Sequence, residues 1–164
     1  SLLDLQHGPT HAEFMVSDTG EIELIELNLR LVGYDAIVGI NKAHDIQFQK
    51  ILLALSTGGN LSKNDINFDI KCYTSTQWLL PPLSETEFKS VEFPEGICFS
   101  RTMRKSGAPL KGKTVQSEHV ASFVVDAISQ KEVLRKAHEA RCATKINGIS
   151  LINDPNNDVS IFLD

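Results

Sequence analysis

Gly20-Glu21-Ile22-Glu23-Leu24-Ile25-Glu26-Leu27-Asn28-Leu29-Arg30, taken with His11-Ala12-Glu13-Phe14-Met15-Val16-Ser17 before it, is the stretch whose reading decides the fold. Both runs are short, rich in apolar residues and close to alternating, as strands with one covered face are. Asp18-Thr19-Gly20 supplies turn chemistry between them, so an antiparallel hairpin is expected. With Thr19-Gly20 as a two-residue turn, Glu13 falls directly opposite Glu26. A slip of one residue would send Glu13 to the other face. Alternation along the second strand puts Glu26, Asn28 and Arg30 on one face, which begins with Ile22 and Leu24.

Upstream of the hairpin, Leu2 to Gln6 reads as the last turn of a helix stopped by Gly8-Pro9. After Gly33 the apolar period lengthens from two to about 3.6. Tyr34 to Ala43 is expected to be one helix. Asp45 is expected to cap a second, with Phe48, Ile51, Leu52 and Leu55 at helical spacing and Gly58-Gly59-Asn60 as its stop. Strand-like runs follow at Phe68 to Tyr73, Gln77 to Leu80, Glu92 to Arg101 (broken by Pro94-Glu95-Gly96) and Val120 to Ala127. Pro81-Pro82 and Ser106-Gly107-Ala108-Pro109 are turns. Ser129-Gln130-Lys131-Glu132 is a capping box that opens a helix over Gln130 to Arg141. The order predicts an α+β fold, a mainly antiparallel sheet with packed helices, without internal repeats.

Composition limits the function classes. At 164 residues and 41% hydrophobic the chain can bury a core, and it is not disordered by composition. Sixteen Lys and Arg against twenty-one Asp and Glu leave a net charge of −5, so nucleic acid is not expected as a partner. No apolar run approaches the roughly 18 residues that span a bilayer, so a soluble protein with no membrane partner is expected. Cys72, Cys98 and Cys142 are odd in number and lack metal-type spacing. They read as buried thiols of a reducing, cytoplasmic setting. The chain starts Ser1-Leu2-Leu3 with neither an initiator methionine nor a signal-peptide pattern, and is expected to be a piece of a longer protein.

The chemistry lies on the hairpin. Two like charges directly opposite each other on adjacent strands destabilise the pair, and a divalent cation between them reverses the sign. Magnesium suits Glu13 and Glu26, because it takes oxygen ligands and shares its shell with water and phosphate. Asn28 would add a carbonyl oxygen, and Arg30 a fixed cation for phosphate or carboxylate. Against this stands an ordinary solvated outer face, on which paired glutamates do nothing.

Gly8-Pro9-Thr10-His11-Ala12-Glu13-Phe14, then Glu26-x-Asn28-x-Arg30 and Gly33, resembles the C-terminal catalytic segment of the ATP-grasp superfamily. The closer likeness is to carboxylate–amine ligases of the amino-acid ligase type, and the more distant one to biotin carboxylase. The resemblance implies Glu13, Glu26 and Asn28 as ligands of magnesium (or manganese) bridging ATP phosphates. It also implies Arg30 as stabiliser of the transferring phosphoryl group or acyl phosphate, Gly33 as the point of close substrate approach, and His11 beside the site. Leu31-Val32-Gly33-Tyr34 replaces the polar run that follows the arginine in biotin carboxylase, which speaks against bicarbonate.

The implied organisation is a catalytic segment over 1–60 and a C-terminal α+β extension over 61–164, without the N-terminal and nucleotide-lid domains. The implied function is that of a C-terminal fragment of an ATP- and magnesium-dependent ligase, inactive alone. Its partners would be ATP and small carboxylate and amine substrates, with a homodimer left open. The alternative is a non-catalytic ligand-binding or assembly module of the same fold. Elsewhere, Trp78 is expected in the core. Gly107 to Lys113 is read as a solvated basic turn. Cys98 and Cys142 are not expected to be nucleophiles, for want of a nearby histidine, and His119 and His138 are expected in packing or surface roles.

Overall fold

The computed structural model describes residues 9–65, 69–111, 116–152, 154 and 157. The helix end expected over Leu2 to Gln6, Gly8, Phe68 and Gly112-Lys113 lie outside the described residues. The elements are β1 (His11–Val16), β2 (Ile22–Asn28), α1 (Tyr34–His44), α2 (Phe48–Ser56), β3 (Tyr73–Leu79), β4 (Val91–Glu92), β5 (Phe99–Thr102), β6 (Ala121–Ala127), α3 (Gln130–Ala143), β7 (Lys145–Ile146) and β8 (Ile149–Ser150). Every strand pairing among them is antiparallel: β1 with β2, β3-β6-β5 in one sheet, and β4-β7-β8 in another. The α+β expectation holds.

Strand β6 organises the core. Ala121 to Val125 are all buried, because β6 is the central strand and both its faces are covered. Ser122 reaches α1, while Phe123 and Val125 join Val133, Ala137 and Ala140 of α3, together with Leu79, Phe88 and Ile146. Helix α1 approaches the sheet at Gly39, where a Cβ would sit 3.1 Å from Thr76 Oγ1 and 3.2 Å from Thr74 Oγ1. Helix α3 begins as its capping box predicts, the Glu132 N–H donating to Ser129 Oγ at 3.2 Å.

Several local expectations are corrected. A single strand, β3, spans Tyr73–Leu79, where separate runs at 68–73 and 77–80 were expected. Thr74, Ser75 and Thr76, polar but mostly β-branched, pair with Val124 to Asp126 of β6, and the buried neighbour overrides their polarity. Asp45 does not cap α2. It closes α1 in the left-handed region at φ 53°, and the cap of α2 comes from within α1, where Asn41 Oδ1 accepts the Phe48 N–H at 2.8 Å. On α2 only Ile51 is buried, and Leu55, expected inward, is 59% exposed. The turn Asn147-Gly148 (φ 54° and 80°) joins β7 to β8, a hairpin that the sequence reading passed over. Asn147 Oδ1 also accepts the Lys89 N–H at 2.7 Å, tying this hairpin to the approach to β4.

Candidate active site

Glu13 does lie opposite Glu26, and two departures from the expected hairpin cancel to put it there. The connection has three residues, Asp18, Thr19 and Gly20. Ser17 N–H donates to Glu21 O at 2.9 Å and Gly20 adopts φ 83°. That loop sets Val16 against Ile22 and Phe14 against Leu24. A bulge at Ile25 then absorbs one residue, so Glu13 meets Glu26 and His11 meets Asn28. The bulge also reverses one expectation. Ile22 and Leu24 share a face with Phe14 and Val16, opposite to the Glu26 face. All four are more than half exposed, Phe14 and Leu24 at 54%, Val16 at 63% and Ile22 at 70%.

The other face carries a two-by-two polar patch: Glu13 and Glu26 side by side, exposed, with His11 and Asn28 side by side next to them, half-buried. His11 Nδ1 stands 3.9 Å from Glu13 Oε1. Neither His11 Nδ1 nor Asn28 Nδ2, both buried, has a hydrogen-bond partner among the described residues. Buried polar atoms without partners are uncommon. Turning the Asn28 amide over would present its oxygen where the nitrogen is placed, which is the donor a cation needs. Among the described residues no three His, Cys, Asp or Glu side chains gather as a complete metal set. Two carboxylates, an amide and a phosphate-bearing ligand fit the ordinary magnesium shell, which rarely consists of protein alone.

Arg30 departs from the expected arrangement. β2 ends at Asn28, so strand alternation does not reach it, and its Nη1 donates to the Leu31 carbonyl at 3.0 Å. Gly33 is the N-cap of α1, and a Cβ there would meet nothing within 4 Å, so the space before it is open.

Immediately after Gly33 lies a cluster that the sequence reading missed. Asp35, 1% exposed, accepts Arg101 Nη2 at 2.9 Å and Ser122 Oγ at 2.8 Å on the same oxygen, Oδ2. Tyr34 lies beneath the Arg101 guanidinium, 5.9 Å from carbon to ring centroid, and meets Phe99 edge-on at 6.0 Å. An acid in a helix's first turn is ordinary in sequence, and nothing in it marked Arg101, 66 residues away, as its partner.

Other expected placements are revised. Trp78 is 37% exposed and stacks on His119, with centroids 6.5 Å apart, because it lies at the rim of edge strand β3. The cysteines form no disulfide among the described residues and are not buried: Cys98 is exposed, and Cys72 and Cys142 are half-buried. Cys142 has a histidine after all, with His138 Nε2 3.6 Å from its sulfur one helical turn away. Desolvation, reinforced by Asp126, raises the Cys98 pKa, which suits a thiol donating to the Val124 carbonyl rather than a nucleophile. In the expected solvated turn Gly107, Pro109 and Lys111 are exposed, while Leu110 is buried and its N–H donates to Thr86 O at 2.8 Å.

No family model and no curated protein matches the sequence. Solved structures do match the fold. An L-amino acid ligase from Bacillus licheniformis superposes with a TM-score of 0.74 at 15% identity, covering 88% of this chain and 37% of that one. Phosphoribosylglycinamide synthetase from Anaerococcus prevotii gives 0.66 at 13% identity, over 84% of this chain and 36% of that one. The biotin carboxylase domain of the Hydrogenobacter thermophilus 2-oxoglutarate carboxylase, solved with MgADP and bicarbonate, gives 0.66 at 14%, over 93% and 35%. The chain thus spans about a third of the length of the structures it resembles.

Proposed function

We propose that this chain, whose fold is that of the C-terminal part of ATP-grasp enzymes, forms the metal-binding end of an ATP- and magnesium-dependent ligase joining a carboxylate to an amine through an acyl phosphate. The observation that carries the reading is the polar patch, two facing carboxylates flanked by two orphaned buried polar atoms on one hairpin face. Residues 1–60 are its catalytic segment and 61–164 an extension that supports it. The setting is cytoplasmic, and the site acts only together with nucleotide-binding elements beyond this chain, which spans a third of its structural neighbours.

The residues divide the work as follows. Glu13 and Glu26 present paired negative charge, and Asn28 a neutral oxygen, to one cation. Magnesium, or manganese, bound there would neutralise the phosphate oxygens of ATP. Arg30, released from the Leu31 carbonyl, supplies a planar cation for the transferring phosphoryl group or the acyl phosphate. Gly33 leaves backbone space for the substrate, and His11 lies beside Glu13 at the edge of the site. A non-catalytic assembly module is the second reading, favoured by the exposed Phe14, Val16, Ile22 and Leu24.

Manganese added to the isotopically labelled chain tests the site. Paramagnetic broadening is expected at the amides of Glu13, Glu26 and Asn28 and is lost in Glu26→Gln. Broadening that ignores this substitution supports the assembly module instead. Mixed with ATP, magnesium and amino acids, the chain alone is expected to release no ADP above background, since positioning supplies most of the rate in phosphoryl transfer. Sustained turnover abolished by Glu26→Gln would overturn inactivity in isolation.

A further inference from the structure

Arg101 on β5 is anchored in a way that leaves its guanidinium half used. Nη2 donates to Asp35 Oδ2, and neither Nε nor Nη1 has a partner among the described residues. The Asp35 side chain is 1% exposed and that of Arg101 45%, so the charge is pinned from within and open outward. Ser122, fully buried on β6, adds a second hydrogen bond to the same carboxylate oxygen. The ring of Tyr34, exposed itself and braced edge-on by Phe99, backs the guanidinium. Tyr34 directly follows Gly33, in front of which the space is open.

A clamp serving only to tie α1 to the sheet would close both oxygens of Asp35. Here Oδ1 is buried and accepts no hydrogen bond among the described residues. Leaving it so is costly, and such costs are tolerated where a group is being held for use. Nη2 has a second hydrogen, and together with Nε–H or an Nη1–H it leaves one two-donor edge free, the complement of a carboxylate, which it grips with two parallel N–H donors. The adjoining aromatic wall favours an anion with an organic body over a bare inorganic one.

We propose that Arg101 is a substrate-binding residue that grips the non-reacting carboxylate of an amino acid, the amine substrate, beside Gly33 against the Tyr34 ring. Its role as a substrate site rests on the ligase reading; the binding itself does not. An amino acid that attacks through its amine brings a second charged end, which must be held away from the phosphoryl group. Asp35 and Ser122 are positioning residues that fix where the guanidinium stands.

The test is an NMR titration of the labelled chain with L-alanine, L-alaninamide and inorganic phosphate. L-alanine is expected to shift the Gly33 and Tyr34 amides and the Arg101 Nε–H saturably, whereas alaninamide and phosphate do not. Arg101→Gln is expected to weaken the response by about tenfold or more. Arg101→Lys, which keeps an ion pair with Asp35 and therefore the fold, is expected not to restore it, because an ammonium lacks the fork. Equal shifts from alaninamide, stronger binding of phosphate, or an unchanged response in Arg101→Gln would each overturn the proposal. Manganese broadening at the hairpin is read separately. Alanine binding without it defeats the ligase reading and leaves this site standing; broadening without alanine binding defeats this site alone.

Discussion

Asp35 and Glu26 carry the same charge into opposite circumstances. Asp35 is buried, and Arg101 and Ser122 offset the cost of its desolvation. Glu26 is exposed and faces another carboxylate, Glu13, across the hairpin. His119 shows a third circumstance. Burial, with Arg141 adding to it, lowers the His119 pKa below its ordinary 6.5. The unfolded chain therefore binds a proton on His119 at a higher pH than the folded chain does. Stability from this residue is fully present above about 6.5 and is lost as pH falls from there towards the depressed folded value. Urea melts at pH 7.5 and 5.5 check it: His119→Gln is expected to lose less stability on acidification than the unaltered chain. An equal loss in both would remove His119 as the cause.

At the scale of elements, the α1–α2 junction is held by a side chain that no capping rule of adjacent residues would find. Asn41 Oδ1 takes the first free N–H of α2, while Asn41 Nδ2 donates to Gln49 Oε1 at 2.9 Å. Gln47, at the N-cap position itself, makes no side-chain cap bond. Asn41→Ala is expected to cost about 1 kcal/mol, the usual value of a lost cap. Asn41→Asp keeps the acceptor and should recover most of it. Amide exchange across Phe48–Ser56 reads both, and an unchanged rate in Asn41→Ala would show that the cap contributes nothing.

At the scale of the whole molecule, the candidate site and the core are distinct in kind. β1 and β2 pack chiefly on each other, and their apolar face is exposed among the described residues. Two strands alone are marginally stable in water, whereas β6 is central in its sheet and buried on both faces. The amides of His11–Val16 and Ile22–Asn28 are therefore expected to exchange far faster than those of Ala121–Ala127. Within the hairpin, Glu26→Gln removes a cross-strand repulsion and should leave protection unchanged or raise it by about 0.2–1 kcal/mol in the absence of divalent metal. A clear fall in protection would make Glu26 a structural residue and defeat its assignment to the site.

The sequence by itself determined the α+β class, the hairpin, the α3 cap at Ser129 and the pairing of Glu13 with Glu26. Each depends on contacts between residues near in the chain, where period and turn chemistry speak directly. The sequence predicts that pairing with a two-residue turn and no bulge; the three-residue turn and the Ile25 bulge offset each other at Glu13 and place Ile22 and Leu24 on the opposite face from Glu26. Asn147-Gly148 carries the local chemistry of a hairpin turn, and both residues adopt positive φ. What only the tertiary structure decided is whatever joins distant segments: β6 between β3 and β5, Asn41 capping α2, and Asp35 meeting Arg101 and Ser122. A buried ion pair across 66 residues leaves no local period. Its energy comes from desolvation and geometry, which exist only once α1 has closed on the sheet.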